Sequence, residues 1–392
     1  MWQFCGGLVL LLLISACQQL PAADQLKSAR DLLRDQAFMP VSAAIESKAE
    51  IFALPEPLVR QAKQQVLAYG EPQDRSLALL KFIFREQEDP LQYVNNATLT
   101  AWQTYQQREA NCLSLTILAY SLAKSLGFRT QFQDVQIPEY WITRNGTSVL
   151  NGHVNLLVTP PGSQTMVKTF ITSSSTFLID FERAGGSRER LPVRKISETD
   201  IVALFYNNKA ADAIFSQQFD LAYRYLQEAA SVAPRVAATW NNLAVLYRQR
   251  NMPEAAELAY LQSLALEAEH PNTMSNLAIL YESMGRAGEA AQLQSKVLKQ
   301  RLTNPYYFVM QGNEALSARR LTDAEVAFHR SIRLQPKMSE ALFGLAQVAI
   351  LQHDVAAATH YLQRARLYAS PGADRRLYDH KLEMLNAVAQ MR

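Results

Sequence analysis

The chain opens on an uncharged apolar run, Leu8 to Ile14, and then turns polar until about Val41. Beyond it, Ala53, Leu54, Leu58, Ala62 and Val66 recur at the spacing of one helix face, and Ser76 to Phe84 forms a second dense apolar run. Gly70-Glu71-Pro72 punctuates between the two. A third segment, Ala97 to Gln107, leads into Arg108 to Phe128, REANCLSLTILAYSLAKSLGF. There Leu115, Leu118, Leu122 and Leu126 follow a helical period, Cys112 falls in the first turn, and Gly127 supplies the C-cap. After Gly127 the pattern shortens: Phe128 to Val135, Tyr140 to Thr143, Val154 to Val158, Met166 to Ile171 and Thr176 to Phe181 read as strands. Asn145-Gly146 and Pro160-Pro161-Gly162 supply turns, and Ala184 to Arg188 an exposed loop. The prediction is a helical lobe followed by a small antiparallel sheet, an α+β domain.

Beyond Ser197 strand signals vanish and a repeat takes over. Small residues recur at Ala210, Ala244, Ala278, Gly312 and Ala346, each 34 apart, and a second ladder runs Ala222, Ala256, Ala290, Ala324 and Ala358. Two ladders at one period predict an all-α solenoid of paired helices crossing at small residues. The unit from Ala237 resembles the tetratricopeptide repeat, with Trp240, Leu243, Ala244, Tyr247, Ala256 and Tyr260 in its pattern positions, and Pro234 and Pro336 at repeat ends. Five repeats start near Ala203, Ala237, Pro271, Pro305 and Ser339, with a closing helix from about Ala373. Lys209 and Gln311 stand where that family has leucine. The resemblance implies a concave surface holding a protein or extended peptide through Asn241, Arg248, Asn272, Glu282, Asn313 and Gln347. The plainer alternative is a rigid spacer.

Charge narrows the functional classes. Lysine plus arginine (39) nearly balances aspartate plus glutamate (36), and no basic run stands out, which argues against a nucleic-acid partner. The opening apolar run is too short to span a bilayer and long enough for a signal peptide. It ends Ile14-Ser15-Ala16-Cys17, which resembles the lipobox of bacterial lipoproteins. That resemblance implies a lipidated (palmitate-bearing) Cys17 as first mature residue, and Gln18 after it implies an outer-membrane destination facing the periplasm. Cys5 would leave with the signal, so Cys112 would be the one free thiol in an oxidising compartment, where it must be buried or used. The expected organisation is a signal peptide over 1–16, a lipid-anchored tether over 17–45, an enzyme-like domain over 46–196, repeats over 197–372 and a capping helix over 373–392.

A cysteine in the first turn of a helix sits among unpaired backbone N–H groups at the positive end of the dipole, where negative charge is favoured. His153 opens the apolar run GHVNLLV and Asp180 closes FLID, 41 and then 27 residues further on. The order Cys112, His153, Asp180 on helix, strand and strand resembles the transglutaminase-like superfamily of papain-type cysteine enzymes, over roughly residues 45–190. The physical logic is complete without the name. A thiol attacks a carbonyl as thiolate and needs a base within reach, here His153. Asp180 would fix the imidazole tautomer and stabilise the imidazolium, with Asp134 and Glu182 as substitutes. The Cys112 N–H would be one oxyanion donor, and Gln103, Tyr105, Gln106 and Gln107 are unranked candidates for the second. Tyr140 and Trp141 could line a cleft or belong to the core. The other histidines are scattered and no metal or cofactor is expected. The sequence therefore supports amide hydrolysis or transamidation through a thioester on Cys112, or, as the alternative, a non-catalytic adaptor acting through its repeats.

Overall fold

The structure, a computed structural model, describes residues 28–85, 89–144, 147–162, 176–180, 192–369 and 373–390. The N-terminal lobe runs α1 (Ala29–Leu32), α2 (Lys48–Phe52), α3 (Glu56–Val66), α4 (Pro72–Phe84), β1 (Gln92–Tyr93), α5 (Ala101–Gln107), β2 (Glu109–Ala110) and α6 (Cys112–Ser125). Six strands follow: β3 (Arg129–Val135), β4 (Tyr140–Arg144), β5 (Thr147–Asn151), β6 (Val154–Thr159), β7 (Phe177–Ile179) and β8 (Val193–Ile196). The signal segment and Cys17, the expected strand over 166–171, the loop over 184–188 and Glu182 lie outside the described residues. No helix among the described residues is long and apolar enough to cross a membrane.

Helix α6 is the centre of the lobe. Its leucines suggested one buried face, yet every residue from Cys112 to Ala123 is buried. A helix apolar nearly all round needs cover on all sides. Ile51, Leu58, Leu79 and Ile83 give it from the preceding helices, and Phe132, Leu156, Val158 and Ile179 from the sheet. Gly127, at φ +76°, takes the left-handed position that ends the helix, and the Phe128 N–H returns to the Ala123 carbonyl at 2.9 Å. The sheet order is β7-β6-β3-β8, antiparallel throughout, with β4 and β5 set apart as a hairpin. Strand β8 was not expected: its sequence, VRKI, is short and largely exposed at the sheet edge, and carries no alternation strong enough to read.

The solenoid comprises α7 (Glu198–Phe215), α8 (Phe219–Val232), α9 (Ala237–Gln249), α10 (Pro253–Leu266), α11 (Pro271–Ser283), α12 (Ala287–Arg301), α13 (Pro305–Ser317), α14 (Leu321–Leu334), α15 (Ser339–Leu351) and α16 (Val355–Tyr368). Helix α17 (Ala373–Gln390) closes it. The first helix starts at Glu198, before the expected Ala203, because Ser197 and Asp200 form a capping box ahead of the repeat pattern. A third 34-residue ladder, invisible in composition, ends each first helix: Gln217, Asn251, Gly285, Arg319 and His353 all have positive φ. The next residue's N–H reaches back to the helix at 2.8–2.9 Å each time, for example Gln218 to Ala213 and Asp354 to Ala349. Phe328, fully buried, fills the space left by two glycines: a Cβ built on Gly312 or Gly344 would lie 2.4 or 2.3 Å from its ring.

The expected tether over 17–45 is described from residue 28 on, and there it packs on the solenoid. The Leu32 carbonyl accepts from Tyr247 Oη at 2.9 Å, and Phe38 stacks on Tyr223 at 4.1 Å between centroids. Just beyond it, the Glu46 carbonyl accepts from Tyr206 at 2.6 Å, and its carboxylate pairs with Lys209 at 3.1 Å. Lys209, standing where that family has leucine, thus has an acidic partner from the segment packed on the first repeat. Gln311, the other departure, donates to Tyr307 Oη at 2.9 Å. A second bridge joins lobe to solenoid: Arg301 clasps the Glu139 carboxylate at 2.7 and 3.0 Å. Asn304 donates to the Glu139 carbonyl at 2.8 Å, at the base of the β4–β5 hairpin.

Candidate functional site

The lead into α6 is built from buried polar groups. Arg108 caps α5 at φ +55°, and its buried guanidinium donates to the carbonyls of Ile83, Phe84 and Asp89 at 3.0 Å. Burial, with Arg85 nearby, holds its pKa below the ordinary guanidinium value. Parallel pairing of β1 with β2 carries the chain to Asn111, the N-cap of α6. Asn111 Oδ1 accepts from the Ser114 N–H at 2.8 Å, and its Nδ2 donates to Thr98 Oγ1 at 3.1 Å. Ser114 Oγ in turn donates to the Ala97 carbonyl at 2.6 Å and accepts from the Leu99 N–H at 2.8 Å. These bonds fix the loop over 95–99 to the first helical turn, so Cys112 is held by its backbone and not merely by packing.

The structure brings Cys112, His153 and Asp180 together. Cys112 is 9% exposed, and its thiol points at the Gly152 carbonyl, 3.7 Å from Sγ. His153 enters β6 with its ring 3% exposed, next to the Cys112 sulfur. Its Nε2 lies 2.8 Å from Asp180 Oδ2; facing a carboxylate, that nitrogen carries the proton. Burial pushes the His153 pKa down, but the Asp180 and Cys112 hydrogen bonds outweigh it and hold the imidazolium to about 10. Register explains how residues 27 apart meet: Leu156 pairs with Ile179, so Asp180 falls opposite Asn155 and diagonal to His153.

Sequence reasoning passed over Asn155. Its Nδ2 donates to the same Asp180 Oδ2 at 3.1 Å, and it is 3% exposed. The one signal was a polar residue two beyond the histidine in the otherwise apolar run GHVNLLV. Asp134, a candidate substitute for Asp180, pairs instead with Arg194 at 2.7 Å and accepts from Gln136 at 3.0 Å. Of the four oxyanion candidates, Gln103 Oε1 takes the Thr100 N–H at 3.0 Å in a capping box. Tyr105 stacks on Phe82 and Trp102, and Gln106 and Gln107 are exposed. The side chains of Tyr140 and Trp141 fall outside the described residues. A cavity of about 540 Å³ opens at the opposite end of α6, beside Phe52 and Tyr120, away from Cys112. It is closed on one side by Glu198. Burial opposes ionisation of that carboxyl, but bonds from Lys48, Tyr120 and Lys124 hold it near 2.

The six solenoid positions fare unevenly. Asn241 is buried in an asparagine ladder: it donates to Asn242 and accepts from Asn276 at 3.2 and 3.1 Å, while Asn242 donates to Asn207 at 3.0 Å. That ladder ties three repeats together, so Asn241 is a rung. Arg248 and Asn272 are half-buried, Glu282 accepts from Gln294, and Asn313 is exposed. Gln347 lines a groove of about 460 Å³ with Leu316, Phe343, Ile350 and Lys381.

Residues 309–374 match the tetratricopeptide repeat family. No curated protein matches the chain. Among solved structures, the type IV pilus biogenesis factor PilW is similar at 20% identity, over 48% of this chain and 88% of that one, with a TM-score of 0.28. Pseudomonas aeruginosa pilF is similar at 18% identity, over 49% and 87%, with a TM-score of 0.27. YrrB, described as a tetratricopeptide-repeat protein with an unusual peptide-binding site, is similar at 15% identity, over 46% and 92%, with a TM-score of 0.25. With its 34-residue ladders, its paired helices and this family match, the C-terminal part of the chain is a tetratricopeptide-repeat scaffold for protein–protein interaction.

Proposed function

We propose that the chain is a cell-envelope lipoprotein, anchored through Cys17, whose lobe is a transglutaminase-like Cys-His-Asp acyl-transfer domain. Its repeats hold the protein or peptide on which the domain acts. The observation that carries this reading is His153 placed between the Cys112 sulfur and Asp180, with Nε2 at 2.8 Å from the carboxylate. With Nε2 held, Nδ1 is the nitrogen left to exchange a proton with the thiol. Cys112 Sγ then attacks an amide carbonyl, and the tetrahedral oxyanion rests on the Cys112 N–H. His153 returns the proton to the departing amine, leaving a thioester. Water resolves it as hydrolysis; a second amine would make the reaction a transamidation. No metal or cofactor enters. The test is mass spectrometry of acid-quenched protein after incubation with a panel of peptide amides and esters. An acyl adduct on the Cys112 peptide, absent from His153→Ala, is expected. No adduct across the panel would overturn the reading.

A second reading is an adaptor lipoprotein in which the lobe only binds. The observation favouring it is the 9% exposure of Cys112, which leaves a substrate little room at the sulfur. An adduct-free Cys112 beside a captured partner would establish that reading.

A further inference from the structure

Of the connections between repeats, the one from α12 to α13 is built differently. The second helices α8, α10, α14 and α16 are each 14 residues long, whereas α12 runs 15 and ends on Arg301. One repeat to either side, the same ladder position is held by Glu267 and Gln335. Both lie past the helix end, at φ −138° and −137°, while Leu302 after Arg301 keeps helical backbone at φ −63°. Asn304 likewise stands where the neighbouring repeats have His270 and Met338.

Both departures meet one residue of the lobe. Arg301 donates through Nε and Nη2 to the two oxygens of the Glu139 carboxylate, at 2.7 and 3.0 Å. Asn304 Nδ2 donates to the Glu139 main-chain carbonyl at 2.8 Å, while its Oδ1 caps α13 by accepting the Tyr306 N–H at 2.9 Å. A bidentate guanidinium–carboxylate pair fixes direction as well as distance. The Glu139 side chain is only 9% exposed, so salt and water screen the pair little.

The gripped residue leads to the candidate site. Glu139 precedes β4, which pairs with β5 from Tyr140 opposite Asn151. Continued by one residue, that register sets Glu139 against Gly152. The Gly152 carbonyl faces the Cys112 sulfur at 3.7 Å, and His153 follows it at the head of β6. From the sheet side, the Val135 N–H holds the His153 carbonyl at 2.9 Å. From the hairpin side, the solenoid holds the same turn through Glu139.

We infer that Arg301, in the repeats, is a positioning residue for the lobe: through Glu139 it holds the foot of the β4–β5 hairpin, and so keeps Gly152 and His153 set against Cys112. The inference rests on the Cys-His-Asp reading above. It makes the solenoid part of the frame of the site as well as a surface that binds.

The experiment uses full-length protein. Cys112 alkylation by iodoacetamide at pH 7 and amide hydrogen exchange of the peptide spanning 147–156 are both read by mass spectrometry. Arg301→Gln and Glu139→Gln should each slow alkylation about fivefold and speed exchange of that peptide about tenfold, with exchange in α9 unchanged. The double variant should match the singles, since both remove one contact. Arg301→Lys, which keeps the charge and loses the fork, should fall between. A clasp that only adds stability would lower the melting temperature and speed exchange throughout, leaving alkylation at the wild-type rate. Wild-type values in either readout, or losses that multiply in the double variant, overturn the inference. His153→Ala runs alongside: if it leaves alkylation unchanged, the Cys-His reading falls, and exchange alone then judges Arg301. Should Arg301→Gln not fold, Glu139→Gln and Arg301→Lys are read by the same quantities and the same outcomes.

Discussion

The lobe and the solenoid both bury polar side chains, and they do so for opposite ends. In the solenoid the buried amides of Asn207, Asn241 and their neighbours form rungs, each answering a residue one repeat away. In the lobe Asn111, Ser114, His153 and Asn155 gather at one end of one helix, and their partners come from a loop and a strand, not from an equivalent position in a repeat. Repeated polar burial stitches a scaffold. Polar burial gathered at one helix end, around a thiol and an imidazole, marks the candidate site.

The cores differ as well. One continuous apolar cluster runs from Leu32 through α6 to Val297, so the lobe and the first three repeats are packed as a unit. The last two repeats have their own clusters, around Phe328 and around Leu342 with Leu362. The sharpest way to break the comparison is therefore to damage one region and watch the other. Phe328→Ala, removing a fully buried ring, should cost about 3–5 kcal/mol of solenoid stability in chemical denaturation. Gly344→Ala, which drives a methyl into the same ring, should cost about 1–3 kcal/mol. Cys112 alkylation should stay at its wild-type rate in both; a matching change there would show the two regions to be one cooperative body.

Next in size is a pH effect confined to the lobe. His153 is held protonated to about 10, above its unfolded value of about 6.5. Its contribution to stability is therefore fully present below pH 6.5 and is lost as pH rises through 10. Subtracting the His153→Ala profile isolates it from tyrosine ionisation: wild type should lose its advantage between pH 7 and 11, by a few kcal/mol. A difference that stays flat across that interval would place the imidazole in its neutral form. The smallest effect lies in the solenoid. His353 occupies a left-handed position that glycine takes without strain, so His353→Gly should stabilise by about 0.5–1 kcal/mol in denaturant titration.

Periodicity governs how much of this could be read from sequence. The first helices α9, α11, α13 and α15 begin at Ala237, Pro271, Pro305 and Ser339, where the small-residue ladders put the repeats. Five copies of one signal correct each other's noise. The helix-capping ladder carries little sequence signal because Gln217 and Arg319 are not types associated with left-handed backbone. The lobe has one copy of everything. Cys112, His153 and Asp180 could be picked out by order and by the ends of apolar runs, but Asn155 needed the strand register, which no local pattern encodes. That Asn241 reaches Asn276 of the next repeat is likewise a matter of how the helices pack, which the spacing alone does not encode.

The central claim is that Cys112 and His153 work as a pair, and the most direct measurement is the rate of Cys112 alkylation by iodoacetamide at pH 7 in wild type beside His153→Ala. The account predicts rapid alkylation in the wild type and a loss of at least tenfold in the variant. Equal rates in the two proteins would contradict it, and would leave the repeats as the working part of the molecule.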